Sequence, residues 1–147
     1  MNSKKHFKLQ EFLPYLLNQA AETSSLAFQK TYKDRYGMLR AEWRVLFHLG
    51  LYGEMTAVEI GRRAQMHKTK ISRAVHKLAE RRFITRSRDL KDRRVEHLAL
   101  TDRGKEAYRD LSKVAESYNA ELEARLSDEE VDHLRSALEK LAKPVHG

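Results

Sequence analysis

The middle of the chain places two short amphipathic helices next to each other with almost no connecting chain. In the segment MTAVEIGRRAQMHKTKISRAVHKLAERR, residues 55–82, Thr56 and Glu59 form a capping box that predicts the start of the first helix. This helix fades before Lys68, where a second helix begins and continues to about Arg81. Two short helices joined by a few residues are typical of a helix-turn-helix, although any all-α protein can contain such a pair.

The second helix separates apolar side chains from polar ones. At about 100° per residue, one face gathers Ile71, Ala74, Val75 and Leu78. The opposite face and its flanks carry hydrogen-bonding and cationic side chains, namely Lys68, Thr69, Lys70, Ser72, Arg73, His76 and Lys77. A solvated surface helix usually intersperses Asp and Glu among its cations, but the first acid in this helix is Glu80.

The polar face of this helix matches the needs of a B-DNA major groove. Base edges require hydrogen-bond donors and acceptors at the centre of the helix face, and phosphates require cations at its edges. We therefore predict that these seven residues contact DNA. Arg73 suits guanine O6 and N7, the three lysines suit phosphates, and the remaining three side chains are versatile. A solvated charged face is the alternative interpretation.

A basic hairpin follows the helix pair. Residues 83–88 and 95–100 are predicted to be its two strands. A hairpin in this position crosses the DNA backbone, and its tip can enter the minor groove, where arginine is favoured. We predict DNA contacts at the tip residues Lys91, Asp92, Arg93 and Arg94. Because a carboxylate repels phosphate, we expect Asp92 to pair with Arg94 or another nearby cation and hold the tip in one shape. A flexible charged loop is the alternative.

The positive excess of the chain lies entirely in this central block. Residues 56–104 hold 14 Lys and Arg against 6 Asp and Glu, while the remaining residues hold 15 against 15, so the net charge of +8 is local. A localised basic block indicates a polyanionic partner, of which nucleic acid is the commonest. An anionic membrane is the rival partner, but it would require an apolar surface opposite the charge.

Other classes of protein find little support in the sequence. The chain has no cysteine, which excludes disulfides, thiolate zinc ligands and cysteine nucleophiles. It contains no phosphate-binding glycine loop, nucleophile elbow or HExxH motif, and its histidines lack metal-ligand spacing. We therefore expect a protein that is not an enzyme and has no cofactor or metal site. No signal peptide or membrane span is evident, so we expect a cytoplasmic protein without a membrane partner.

The rest of the chain is predicted to be helical. Residues 14–36, 40–50, 102–125 and 128–142 show helical apolar spacing and capping residues, such as Gly37 after the first of them. The predicted fold is therefore mainly α with a small β-wing, a winged helix-turn-helix domain accompanied by terminal helices. The first of these helices and the last two carry apolar stripes that a winged domain of this size cannot cover. A monomeric helix bundle is one way to bury them.

Two stretches of the sequence resemble the MarR family of winged helix-turn-helix transcriptional regulators. They are DLKDRRVEHLALTDRG and MHKTKISRAVHKLAERRFITR, and the resemblance extends over about residues 10–142. The wing signature D-x-R followed by L-x-L-T-x-x-G is matched by Asp92, Arg94, Leu98, Leu100, Thr101 and Gly104. The resemblance implies that Arg94 is the arginine of the minor groove.

The resemblance also implies an assembly and a mode of action. Residues 1–36 and 102–147 would form the dimerisation helices of a homodimer, and residues 37–101 would form the DNA-binding domain. The homodimer would bind a palindromic operator in double-stranded DNA, usually to repress nearby genes. A small anion, frequently phenolic, would often release it.

The effector of such a dimer would bind between the dimer helices and the winged domain. Candidates to line this cleft are Tyr15, Ser24, Phe28, Trp43, Arg44 and His48. Arg44 and His48 share a helix face at i, i+4 spacing and can clamp a carboxylate or phenolate. Alternatively, Arg44 pairs with an acid on a neighbouring helix and His48 belongs to the core. The alternative function is that of a ligand-independent architectural or nucleoid-type DNA-binding protein.

Overall fold

The computed structural model describes residues 6–145, and it confirms a mainly α fold with a small β-wing. A 3-10 helix, Leu9–Glu11, precedes the first α-helix. The elements that follow are α1 (Leu13–Tyr36), α2 (Arg40–Tyr52), β1 (Met55–Thr56), α3 (Ala57–Ala64), α4 (Lys68–Glu80), β2 (Ile84–Arg88), β3 (Glu96–Leu100), α5 (Asp102–Glu123) and α6 (Asp128–Leu141). The ends of the predicted dimerisation segments, residues 1–5 and 146–147, lie outside the described residues.

The capping residues identified in the sequence are the ends of the helices in the structure. The Thr56 hydroxyl accepts the backbone N–H of Glu59 at 3.2 Å, and the Glu59 carboxylate accepts the N–H of Thr56, also at 3.2 Å. Ser127 and Glu130 form the same reciprocal box at the start of α6. Gly37 ends α1 with φ +66°, a left-handed conformation that glycine adopts without steric cost. These confirmed caps fix where α1 ends and where α3 and α6 begin.

Helix α2 is longer than the sequence predicted. We expected it to end near Gly50, but it continues to Tyr52 and ends at Gly53, which has φ +82°. Gly50 has a different role, because a Cβ added there would lie 2.4 Å from the Cδ1 atom of the Tyr108 ring. Its missing side chain allows α5 to pack closely against α2.

Strand β1 was not predicted, and it turns the expected hairpin into a three-stranded antiparallel sheet of order β1-β3-β2. Met55 pairs with Leu98 and Thr56 pairs with His97. A strand of two residues has no recognisable period, and its partner lies about forty positions further along the chain. The sheet therefore joins the start of the helix-turn-helix to the central strand of the wing.

The buried apolar residues form one cluster, which contains residues of both the predicted dimerisation segment and the predicted DNA-binding segment. Phe28 and Tyr32 of α1 and Ala107 and Leu111 of α5 belong to the same core as the helix-turn-helix. The terminal helices thus pack directly on the winged domain. The division into dimerisation and DNA-binding segments remains a prediction. None of the helices within residues 6–145 has the length and apolarity needed to cross a membrane.

A buried acid connects α2 with the end of α4. Glu42 is 2% exposed, and its Oε1 atom has no hydrogen-bond partner in the structure. The nearest cation is Arg81, whose Nη1 lies 3.9 Å from this oxygen and also donates to the Gly37 carbonyl. Burial raises the pKa of the Glu42 carboxyl, which the backbone of Leu39 and the charges of Arg81 and Lys77 only partly oppose. Arg81 therefore ties the end of α4 to the corner between α1 and α2.

The junction between the wing and α5 explains the Thr and Gly of the wing signature. The Thr101 hydroxyl donates to the Arg82 carbonyl at 2.7 Å and accepts the N–H of Gly104 at 3.0 Å, so it caps α5 while holding the chain before β2. A Cβ added at Gly104 would lie 2.1 Å from the Phe83 carbonyl oxygen. Backbone cannot yield as a flexible side chain can, so the site requires glycine.

We predict that Gly104→Ala lowers the free energy of unfolding by about 2–3 kcal/mol, because the added methyl forces α5 away from the Phe83 carbonyl. The neighbouring exposed residue provides the control, since Lys105→Ala should change stability by less than about 0.5 kcal/mol. Urea unfolding at one fixed protein concentration measures both variants. A Gly104→Ala protein as stable as the parent would contradict the close approach of the two segments.

Candidate nucleic-acid interface

Helix α4 presents its two faces as the sequence pattern predicted. Its apolar residues Ile71, Ala74, Val75 and Leu78 are at most 3% exposed. All seven predicted DNA-contacting residues of this helix are exposed, namely Lys68, Thr69, Lys70, Ser72, Arg73, His76 and Lys77. The helix therefore offers a continuous polar surface, with one acid at its far end, where Glu80 Oε2 lies 3.4 Å from His76 Nε2.

A histidine caps the start of α4, which sequence reasoning missed. His67 is the N-cap residue, and its Nδ1 atom accepts the backbone N–H of Thr69 at 3.2 Å. Histidine is not among the usual capping residues, so its position before the helix carried no signal. The first turn contains Lys68 and Lys70 and no acid. The positive end of the helix dipole and two lysines thus lie together, an arrangement that favours an anion.

The wing tip carries its cations on a turn that is organised by carboxylates. The predicted pairing of Asp92 with Arg94 is present, since Asp92 Oδ1 accepts from Arg94 Nε at 3.0 Å and from the Arg94 backbone N–H at 3.1 Å. These bonds lower the pKa of the Asp92 carboxyl. The Arg94 side chain is nevertheless 92% exposed, and Lys91 and Arg93 are exposed as well. Asp92 therefore orients a cation without removing it from the surface.

A second aspartate, Asp89, folds the tip and was not singled out in the sequence. Its Oδ2 atom accepts the backbone N–H groups of Lys91 at 3.0 Å and Asp92 at 2.8 Å. Its Oδ1 atom lies 3.1 Å from His97 Nε2. These contacts, led by the N–H of Asp92, lower the pKa of the Asp89 carboxyl. The sequence could have indicated this turn, because an Asp that accepts backbone N–H groups two and three residues ahead is a common turn motif.

The six residues predicted for an effector site do not form a single cluster within the chain. Phe28 and Trp43 pack edge to face, with ring centroids 5.2 Å apart. The Ser24 carbonyl accepts a hydrogen bond from the Tyr118 hydroxyl. Tyr15 precedes Phe28 by 13 positions on α1, a separation of about 20 Å along the helix.

Arg44 and His48 both have partners within the chain. The Arg44 guanidinium donates to the Ala64 carbonyl, so it contacts backbone rather than the neighbouring acid that was one alternative. His48 Nδ1 lies 2.7 Å from the Arg44 carbonyl oxygen, and its side chain is half-buried. Their use in a ligand clamp would require Arg44 to leave or share the Ala64 carbonyl.

A groove of about 470 Å³ lies between α1 and α5. Phe28 contributes to its lining, together with Arg35, Asp110, Lys113 and Tyr118. Arg35 Nη1 already donates to both carboxylate oxygens of Asp110, at 2.8 and 2.9 Å. Lys113 is exposed, so it is the cation of this groove that a ligand can most easily reach.

Comparison with known proteins supports the same family as the sequence motifs. Residues 36–95 match the model of the MarR family. An uncharacterised HTH-type transcriptional regulator of Bacillus subtilis, YwaE, is 23% identical over 130 residues, which cover 88% of this chain and 76% of that protein.

Solved structures share the fold over nearly the whole chain. A MarR/EmrR family regulator from Acinetobacter sp. ADP1 is 25% identical with a TM-score of 0.81, covering 92% of this chain and 95% of that one. A mutant of MarR from Escherichia coli, complexed with operator DNA, gives 0.82 at 19% identity, covering 95% and 100%. Bordetella bronchiseptica BpsR, whose DNA binding is regulated by 6-hydroxynicotinic acid, gives 0.81 at 22% identity, covering 89% and 98%. The segment of residues 36–95 is thus similar to the MarR family, and nearly the whole chain shares the fold of solved winged helix-turn-helix regulators of that family.

Proposed function

We propose that the protein is a sequence-specific repressor that binds a palindromic operator as a homodimer and is released by a small aromatic carboxylate. The observation that carries the DNA-binding part is the polar surface of α4, whose seven predicted contact residues are all exposed above a fully buried apolar face. On this proposal α4 lies in the major groove and Arg94 of the adjacent wing reaches the minor groove. A ligand-independent architectural protein would use the same cations without preference for a sequence.

Apolar residues at both ends of the chain support the homodimer. Helix α6 buries none of its residues, and Leu134, Leu138 and Leu141 are 43–52% exposed along one stripe. Phe12 and Leu13, near the start of α1, are also exposed. A solitary helix of this length is marginal in water, so α6 needs a surface to pack against. A two-fold dimer would place its α4 helices on half-sites about one DNA turn, or about 10 bp, apart.

An aromatic cluster beside the groove between α1 and α5 supports a ligand. Trp43 and Phe47 pack on Phe28 from α2, and Phe28 in turn contributes to the lining of the groove. The regulation of BpsR by 6-hydroxynicotinic acid is an example of the class of ligand that we propose. On this proposal the ring of the ligand packs near Phe28 and its carboxylate pairs with Lys113.

Because Arg73 is assigned to a base and Lys77 to a phosphate, their alanine variants should change DNA binding in different ways. Arg73→Ala should weaken binding to the operator by about 1–3 kcal/mol and relax the preference for one base pair per half-site. Lys77→Ala should weaken operator and random DNA about equally and reduce the dependence of binding on salt. Fluorescence anisotropy on both duplexes over a range of salt concentrations distinguishes them. Identical profiles for the two variants would contradict the assignment, and an equal affinity of the parent for both duplexes would favour the architectural protein.

The proposed homodimer predicts the mass of the protein in solution, and a charged residue placed in the interface should halve that mass. Sedimentation equilibrium at micromolar concentration should give about twice the 17.2 kDa chain mass for the parent. Leu138→Glu should give the single chain mass, because it buries a charge in the proposed interface. Leu51→Glu, at an exposed leucine of α2, should leave the parental mass unchanged. A parent that is monomeric and still binds its operator tightly would contradict the homodimer.

The ligand proposal predicts which cation is required for release. Hydroxylated benzoates and nicotinates should change Trp43 fluorescence and release operator DNA over the same concentration range. A hundredfold loss of operator affinity requires about 2.7 kcal/mol of differential binding. Lys113→Ala should lose the response, whereas Arg44→Ala should keep it.

The opposite pattern would place the ligand in the cleft predicted from the sequence, beside α2. No response to any compound in the parent would contradict the ligand proposal while leaving operator binding intact.

A further inference from the structure

His97 lies on the central strand of the sheet between two carboxylates that come from different parts of the chain. Its Nε2 atom is 3.1 Å from Asp89 Oδ1, at the end of β2, and its Nδ1 atom is 3.8 Å from Glu54 Oε2, just before β1. The side chain is 32% exposed. The imidazole is therefore placed to connect the wing tip with the segment that leads into the helix-turn-helix.

Asp89 divides its two oxygens between this histidine and the wing tip. Oδ2 accepts the N–H groups of Lys91 and Asp92, and the Asp89 N–H donates to the Val95 carbonyl at 2.8 Å. The position of the Asp89 carboxylate thus determines the path of the tip backbone. Whatever holds Oδ1 in place also holds the segment that carries the exposed arginines.

We propose that His97 is a positioning residue for the wing, and that its protonation fixes the tip and strengthens DNA binding at mildly acidic pH. A neutral imidazole has one N–H. If Nε2 donates to Asp89, Nδ1 carries a lone pair, which faces the carboxylate of Glu54. An imidazolium has an N–H on both nitrogens, so it donates to Asp89 and attracts Glu54 at the same time. The wing tip and the segment before β1 are then both held by His97. The inference rests on the contact of the wing with DNA that is proposed above.

Apart from Asp89 and Glu54, the residues described next to His97 are either uncharged or already paired with another group. The residues paired with it on the flanking strands, Thr56 and Ser87, carry no charge. The adjacent Glu96 is occupied by Arg86, whose Nη2 lies 2.8 Å from Glu96 Oε1. The Arg88 guanidinium donates to the Arg93 carbonyl at 2.7 Å.

Asp89 keeps its charge in the relevant range, because its hydrogen bonds lower the pKa of its carboxyl. Imidazole is the side chain that ordinarily changes charge between about pH 5 and 8.

Two other histidines, His67 and His76, lie at the proposed interface, and their effects must be separated from that of His97. Protonation of His67 would remove the lone pair that caps α4, and protonation of His76 would add a charge close to DNA. Their effects do not depend on the wing. The inference is therefore tested by the difference between variants and not by the pH dependence of the parent alone.

The test measures the dissociation constant for a labelled duplex, selected from random DNA by the parent protein, from pH 5.5 to 8.0 at constant ionic strength. The parent should bind more tightly at the acid end than His97→Gln does, with a difference of about three- to fivefold that disappears toward pH 8. Glutamine retains an N–H that can donate to Asp89 but gains no charge. Asp89→Asn should remove the same pH-dependent part of the binding affinity. The double variant, Asp89→Asn with His97→Gln, should show no further loss of pH dependence.

His76→Gln is the matched control, because it should retain the component of the pH profile that His97→Gln loses. A His97→Gln protein whose pH profile parallels that of the parent would overturn the inference, since a purely structural role would be satisfied by glutamine at every pH. A parent that selects no sequence from random DNA would instead overturn the proposed function.

Discussion

Burial of one face of α4 is the constraint on which the exposed polar surface of this helix depends. Complete burial of a large aliphatic side chain contributes about 1.5–3 kcal/mol, and Ile71, Val75 and Leu78 are all buried in this helix. A rotation that hid Arg73 or Lys77 would expose these residues, so the apolar face fixes the direction of the polar one. The helix-turn-helix thus presents its cations as a consequence of its packing.

Carboxylates organise the basic surface around that helix. Asp92 orients Arg94, Asp89 folds the wing tip, and the buried Glu42 lies beside Arg81 at the end of α4. Each acid reduces the net positive charge, yet each determines where a cation or a turn is held. Affinity for a polyanion in this region therefore depends on the placement of cations as much as on their number.

The terminal helices are partly buried in the core and partly exposed. Phe28 of α1 and Leu111 of α5 pack in the same core as α4, whereas the leucines of α6 stay exposed in a single chain. Core packing is dense, so α1 and α5 are in direct contact with the interior that also holds the buried face of α4. On the proposed function, a partner subunit or a ligand that contacts α1 or α5 would therefore act on helices that share one core with α4.

The sequence alone determined the order of the helices, the caps at Gly37, Thr56 and Ser127, and the polar face of α4. These features depend on residues only a few positions apart, such as Thr56 with Glu59 or Asp92 with Arg94, so local spacing encodes them. The tertiary structure decided the contacts between distant segments. Strand β1 exists only because Met55 meets Leu98, Gly50 is required by Tyr108, and Arg44 binds the Ala64 carbonyl instead of an acid.

The same division applies to the wing. Its basic tip and strand boundaries follow from the sequence within one or two residues. The placement of His97 between Asp89 and Glu54 does not, because Glu54 lies far from the wing in the chain and reaches it only through the pairing of β1 with β3. Periodicity specifies which face of an element is buried, but only packing specifies which side chains meet across elements, since that depends on how the whole core closes.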